Sequence, residues 1–144
     1  GQFTDTKQLE LNELLKQYLQ DYEEVYDYRN IEVTIDEQDI FNVTMNESLA
    51  VALLTNLLKN AFVHNIDGGH IRITVTKNSI TFRNSGVENP LDKEHIFERF
   101  YQGTKKEGST GLGLAIADSI CRLQHLSIRY YFEQKEHCFE ISRQ

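Results

Sequence analysis

The chain has 144 residues, enough for one domain with a core of its own. Its 40% hydrophobic and 26% charged residues are those of a globular protein, not a disordered one, and 15 basic against 22 acidic side chains leave a net charge of −7. That balance excludes a broad nucleic-acid footprint, which needs clustered Lys and Arg to displace phosphate counterions. Cys121 and Cys138 are too few for a disulfide scaffold and point to a reducing compartment. The most apolar stretch, Leu49 to Val63, is broken by Thr55, Asn56, Lys59 and Asn60 and falls short of the roughly 20 apolar residues of a membrane span. No basic-then-apolar leader opens the chain, and a start without Met reads as a piece of something longer.

Leu14, Leu15, Tyr18, Leu19, Tyr22, Val25 and Tyr26 recur at helical spacing and predict a helix over residues 11–27. Ile31, Val33 and Ile35 alternate with polar residues as in a half-buried strand, and residues 40–45 form a second strand candidate. Asn46 or Ser48 is placed to cap a helix reaching His64. Gly68-Gly69 turns the chain into a hairpin of residues 70–76 and 79–83. A short helix is expected around residues 93–100 after Pro90, and a glycine-containing loop leads to another helix over 111–124. A last hairpin joins residues 126–132 to 137–142. Helices mixed with antiparallel strands predict an α+β fold, a two-layer sandwich.

Four features carry chemistry. In the middle helix Asn56, Asn60 and His64 fall at i, i+4 and i+8, one polar stripe on a rod that is otherwise apolar nearly all round. An amide buried without a partner costs about 1–3 kcal/mol, so either the core backbone or a ligand must meet the stripe. Amide oxygens are hard donors suited to Mg²⁺. The second feature, Gly108-Ser109-Thr110-Gly111-Leu112-Gly113-Leu114, is a glycine-rich turn opening into a helix with Leu114, Ala117, Ile120 and Cys121 on its inner side. Unpaired amides and the helix dipole there favour a phosphate, although a simple glycine cap explains the same residues. No Gly-Lys-Ser/Thr follows, which excludes a Walker A loop. The third is a strand ending in Asn84-Ser85-Gly86, and the fourth is Phe97-Glu98-Arg99-Phe100.

In order and spacing these four blocks resemble the ATP-binding catalytic domain of sensor histidine kinases, within the superfamily that includes gyrase, the Hsp90 chaperones and MutL. Asn56 to Asn65 resembles the N box, Asn84-Ser85-Gly86 the first glycine box, Phe97 to Phe100 the F box, and Gly111 to Leu114 the second glycine box. The resemblance implies a Bergerat fold over residues 1–144, with a mixed, mostly antiparallel sheet, three helices on one face, and a lid over about residues 87–110. It implies ATP and Mg²⁺ as cofactors: Asn60 on the metal, Asn56 supporting the phosphates, His64 along the nucleotide, and Asn84 accepting from the adenine amino group. Gly86 would admit the base, and Thr110, Gly111, Leu112 and Gly113 would meet phosphates, with Arg99 and Lys105 (and Lys106 beside it) supplying charge.

Four positions depart from that pattern. Asn84 stands where Asp is usual, Glu88 near the place of a glycine, and Val63 and Gln102 where cations are common. Modest ATP affinity is the expected consequence. None of His64, His70, His95, His125 or His137 sits in the acceptor setting of such kinases, a His followed by an acidic residue on a two-helix hairpin. The chain therefore reads as the donor half, acting on a histidine of a separate dimerisation domain and serving a cognate response regulator. It is expected to bind ATP without phosphorylating itself, on the cytoplasmic side of a membrane-bound homodimer and without touching the membrane or nucleic acid. Two alternatives stay open: an ATPase or serine kinase of the same superfamily, and a non-catalytic interaction module.

Overall fold

A computed structural model describes residues 5–101 and 111–144. The order of elements is β1 (Lys7–Glu10), α1 (Leu11–Val25), a 3₁₀ turn (Asp27–Arg29), β2 (Glu32–Glu37), β3 (Asn42–Met45), α2 (Glu47–Val63), β4 (His70–Val75), β5 (Ser79–Asn84), α3 (Gly113–Leu123), β6 (Leu126–Glu133) and β7 (Glu136–Arg143).

Five strands form the main sheet in the order β2-β4-β5-β7-β6, with β2 parallel to β4 and every other pair antiparallel. The two-residue pleat sends Ile71, Ile73 and Val75 of β4 and Ile80, Phe82 and Asn84 of β5 to the face covered by the helices. Leu11, Leu15 and Leu19 of α1, the buried face of α2, and Ala117, Ile120 and Cys121 of α3 complete one core on that face. Asn46, one of the two expected cap residues, starts α2 by accepting the Leu49 N–H on its side-chain oxygen at 3.0 Å. The opposite face of the sheet is polar. There Arg72 donates two hydrogen bonds to Glu136, at 2.9 and 2.6 Å, and Arg129 donates one to Glu140.

The second strand candidate is β3, which stands outside the main sheet and pairs with β1, a strand with only one apolar residue, Leu9, to announce it. One expectation needs correction. The segment expected as a short helix at 93–100 is a run of turns, in which Asp92 O accepts from His95 N and Ile96 N and His95 O accepts from Glu98 N. In this run of turns Ile96 is buried in the core and Phe100 has φ +65°.

Candidate functional site

One row of residues crosses the inner face at the end of the sheet. Register places Asn84 beside Ile71 on β4 and beside His137 on β7, and His137 beside Phe132 on β6. Asn84 is 2% exposed. Its Nδ2 donates to the Ser85 carbonyl at 2.8 Å, which fixes the amide and turns Oδ1 the other way. Oδ1 is the one buried side-chain nitrogen or oxygen among the described residues that has no hydrogen-bond partner. A buried acceptor without a partner costs about 1–3 kcal/mol, so an N–H donor that reached Asn84 Oδ1 would be bound favourably.

The chain turns at Gly86 directly beneath the end of α2. A Cβ there would lie 2.9 Å from the His64 carbonyl oxygen and 3.2 Å from His137 Cδ2, so only glycine fits between them. Asn65, fully buried, ties the same two regions together. Its Oδ1 accepts from Ser85 Oγ at 2.6 Å, while its Nδ2 donates to the Ala61 and His70 carbonyls. Arg29 holds the end of α2 from below, donating to the Phe62 carbonyl, to Asn65 O at 2.7 Å and to Asp67 at 2.8 Å. A cation on those terminal carbonyls complements the helix dipole. Neither Arg29 nor Asn65 was singled out from the sequence as a site residue; an Arg just after a tyrosine-rich helix gives no hint of its distant partners.

Asn56, Asn60 and His64 lie half-buried along α2, the last as its C-cap. Asn56 Nδ2 donates to Ala52 O at 2.8 Å, and a Cβ on Gly113 would stand 3.0 Å from Asn56 Oδ1. Asn56 of the stripe and Gly113 at the end of the glycine-rich turn therefore approach each other. Leu112 precedes α3 and its apolar side chain provides no cap for the amides of the first turn. Gly111 has φ +75° and accepts from Phe100 N at 2.7 Å, so the Phe97–Phe100 segment is pinned to the start of α3. A Cβ at Gly111 would stand 2.7 Å from Phe100 Cα. Arg99 is exposed next to this joint, its guanidinium 5.6 Å from the Phe100 ring. Lys105 and Thr110, with Gln102 and Lys106, lie outside the described residues.

Val63 is buried at the place where a cation would be usual, which accounts for an apolar residue there. Burial raises the Cys121 thiol to about 12 and the Cys138 thiol to about 11, so neither is a nucleophile at neutral pH. Asp92, Glu94 and His95 could gather a cation, but they are exposed, and Asp92 already accepts from Glu94 N at 2.9 Å and from the His95 ring at 2.6 Å. Among the described residues no helix is long and apolar enough to cross a membrane.

Residues 45–142 match the model of the family described as histidine kinase-, DNA gyrase B-, and HSP90-like ATPases. The chain is 33% identical over 127 residues to the heme sensor protein HssS of Staphylococcus aureus strain Newman, a match that covers 85% of this chain. It spans only 28% of the length of that relative. Among solved structures, the catalytic domain of histidine kinase ThkA superposes with a TM-score of 0.83 at 26% identity, covering 96% of this chain and 94% of that one. ThkA in complex with the response regulator protein TrrA aligns with a TM-score of 0.78 at 24% identity, covering 94% of this chain and 40% of that one.

Proposed function

Because the chain belongs to the family of histidine kinase-, DNA gyrase B- and HSP90-like ATPases, we propose that residues 1–144 are the Mg·ATP-binding catalytic domain of a sensor histidine kinase, with a lid over about residues 87–110. The observation that carries this reading is the empty Asn84 Oδ1, a buried acceptor that suits the exocyclic amino group of adenine. Gly86 leaves the base room beside it, and the lack of a side chain on Gly113 lets the start of α3 approach Asn56 on α2.

In this reading Asn84 and Gly86 hold the base and His64 lies along the nucleotide. Asn60 offers its amide oxygen to Mg²⁺ and Asn56 supports the phosphates. Gly111, Leu112 and Gly113 present main-chain N–H groups to the phosphates, and Arg99, with Lys105 and Thr110 from outside the described residues, is assigned to them as well. Bound ATP supplies the activated phosphoryl group; the protein's part is orientation and electrostatic stabilisation. The acceptor is a histidine on a dimerisation domain outside this chain, so the domain alone binds ATP without phosphorylating itself. ThkA's complex with TrrA supports a cognate response regulator as the further partner. The whole protein would be a membrane-bound homodimer carrying this domain on its cytoplasmic side.

Water activation is weakly served here. Asn56 opens the N box, where an ATPase or serine kinase of the superfamily commonly places a Glu, and an amide cannot act as a general base. Calorimetric titration tests the assignment. Wild type should bind Mg·ATP, and Asn60→Ala should lose most of the magnesium-dependent part of the affinity. No heat from wild type would favour an interaction module instead; equal affinities would remove Asn60 from the metal.

A further inference from the structure

We propose that Tyr130 and His137 are positioning residues that set the base end of the nucleotide site and the first residues after it. Both are buried, Tyr130 on β6 and His137 on β7. The His137 ring does three things at once. It stands across the strand from Asn84, its Cδ2 is the side wall of Gly86, and its Nε2 bonds the Val87 carbonyl at 2.6 Å. A carbonyl only accepts, so Nε2 carries the proton and the neutral ring presents Nδ1 as an acceptor. The Tyr130 hydroxyl lies 2.7 Å from Nδ1 and donates to it, while taking the Leu91 N–H at 2.9 Å. The relay runs Leu91 N–H to Tyr130 to His137 to Val87 carbonyl, and each member is satisfied.

Residues 87 and 91 bracket the exit from Asn84-Ser85-Gly86 toward Phe97–Phe100, so one pair of side chains fixes that exit to the two strands that carry the base end of the site. Protonation undoes it. A charged His137 would point an N–H at Tyr130, whose oxygen already receives Leu91, and the Tyr130 hydrogen would lose its acceptor in a buried place. The groups around the ring are Tyr130 and Phe132 from β6, Asn84 across from it on β5, and the Gly86–Val87 backbone. Burial is what holds the ring neutral, against the opposing pull of the Val87 carbonyl.

This role presupposes the nucleotide site proposed above, and the experiment separates the two. Tyr130→Phe, His137→Gln and the double variant are compared with wild type, all in folded protein. Gln keeps a donor for Val87 but no acceptor placed for Tyr130. Each single variant should bind Mg·ATP about three- to tenfold more weakly, and the double variant less than the product of the two, since they break one relay. In the nucleotide-free protein Tyr130→Phe should speed hydrogen exchange at the Leu91 amide about tenfold or more. Lowering the pH from about 8 to about 5.5 should shrink the ratio of wild-type to His137→Gln affinity, a ratio that cancels protonation of the nucleotide itself. Wild-type binding with both singles equal to it, or an unchanged Leu91 exchange rate, would overturn the relay alone. Absence of binding by wild type would take down the nucleotide reading and this role with it.

Discussion

Replacing Asn84 by Leu separates folding from binding, because the two should move differently. In the free protein Asn84 makes one side-chain hydrogen bond, Nδ2 to Ser85 O at 2.8 Å, and leaves Oδ1 empty. Removing the amide takes the donor from the Ser85 carbonyl, about 1–3 kcal/mol, and relieves the unpartnered Asn84 acceptor, about 1–3 kcal/mol, so the two nearly cancel. Leu has similar bulk and joins a row that already contains Ile71, so no large cavity or clash offsets the balance. Urea unfolding without nucleotide should therefore place Asn84→Leu within about 1 kcal/mol of wild type, or above it. Affinity should fall about 10- to 100-fold, the worth of a hydrogen bond from a ligand to a buried acceptor. Calorimetric titration with Mg·ATP reads the second number. A variant destabilised by more than about 3 kcal/mol would show that Oδ1 is already satisfied in the free protein. Undiminished affinity would show that nothing bound there uses it.

Arg29→Met keeps the stem and removes the guanidinium that serves the Phe62 and Asn65 carbonyls at the end of α2. It should cost about 2–3 kcal/mol in urea unfolding, most of it from those two charge-assisted bonds, since the exposed Asp67 partner adds little; a loss under about 1 kcal/mol would refute the clamp. Gly113→Ala adds a Cβ 3.0 Å from Asn56 Oδ1, so it should fold within about 1 kcal/mol of wild type, helped by helix propensity, while losing about tenfold or more in Mg·ATP affinity by titration. On acidification, burial keeps His137 below its ordinary 6.5 in the folded state, so the unfolded chain takes up that proton first. Stability should then fall as the pH drops below 6.5 and level off once the folded ring also titrates. Arg72 holds Glu136 below its ordinary 4.5, so its contribution is intact above 4.5 and is lost as the pH falls through the lower folded value. Urea midpoints across pH should lose the first decline in His137→Gln and the second in Glu136→Gln.

Much of the candidate site was legible as a local pattern in the residues themselves. Asn56, Asn60 and His64 stand out because polar groups at four-residue spacing interrupt an apolar helix, and Gly111 to Gly113 because glycines stand at a helix start. Both are local signals, fixed by helical periodicity and backbone freedom, and the structure keeps the stripe and the turn as elements of α2 and α3. The existence of the two hairpins was legible for the same reason, as was a cap at the start of α2, offered by Asn46 or Ser48 and supplied by Asn46. What periodicity could not supply was partnership between segments far apart in the chain. Lys7–Glu10 is a strand only because β3 lies beside it, and residues 93–100 form turns in which Ile96 reaches the core and Phe100 N bonds the distant Gly111 carbonyl.

The sequence alone determined which residues carry amides, glycines and charge, and in what order, since those depend on side-chain chemistry and neighbours within one or two turns. The tertiary structure decided that Asn84 Oδ1 is left without a donor, that Asn56 faces Gly113, and that Arg29, Tyr130 and His137 hold the frame. Those are facts of burial and of contact between distant segments. They exist only once the sheet and its three helices have closed around one core, because only there does removal from water make an unpaired oxygen costly and a missing Cβ decisive.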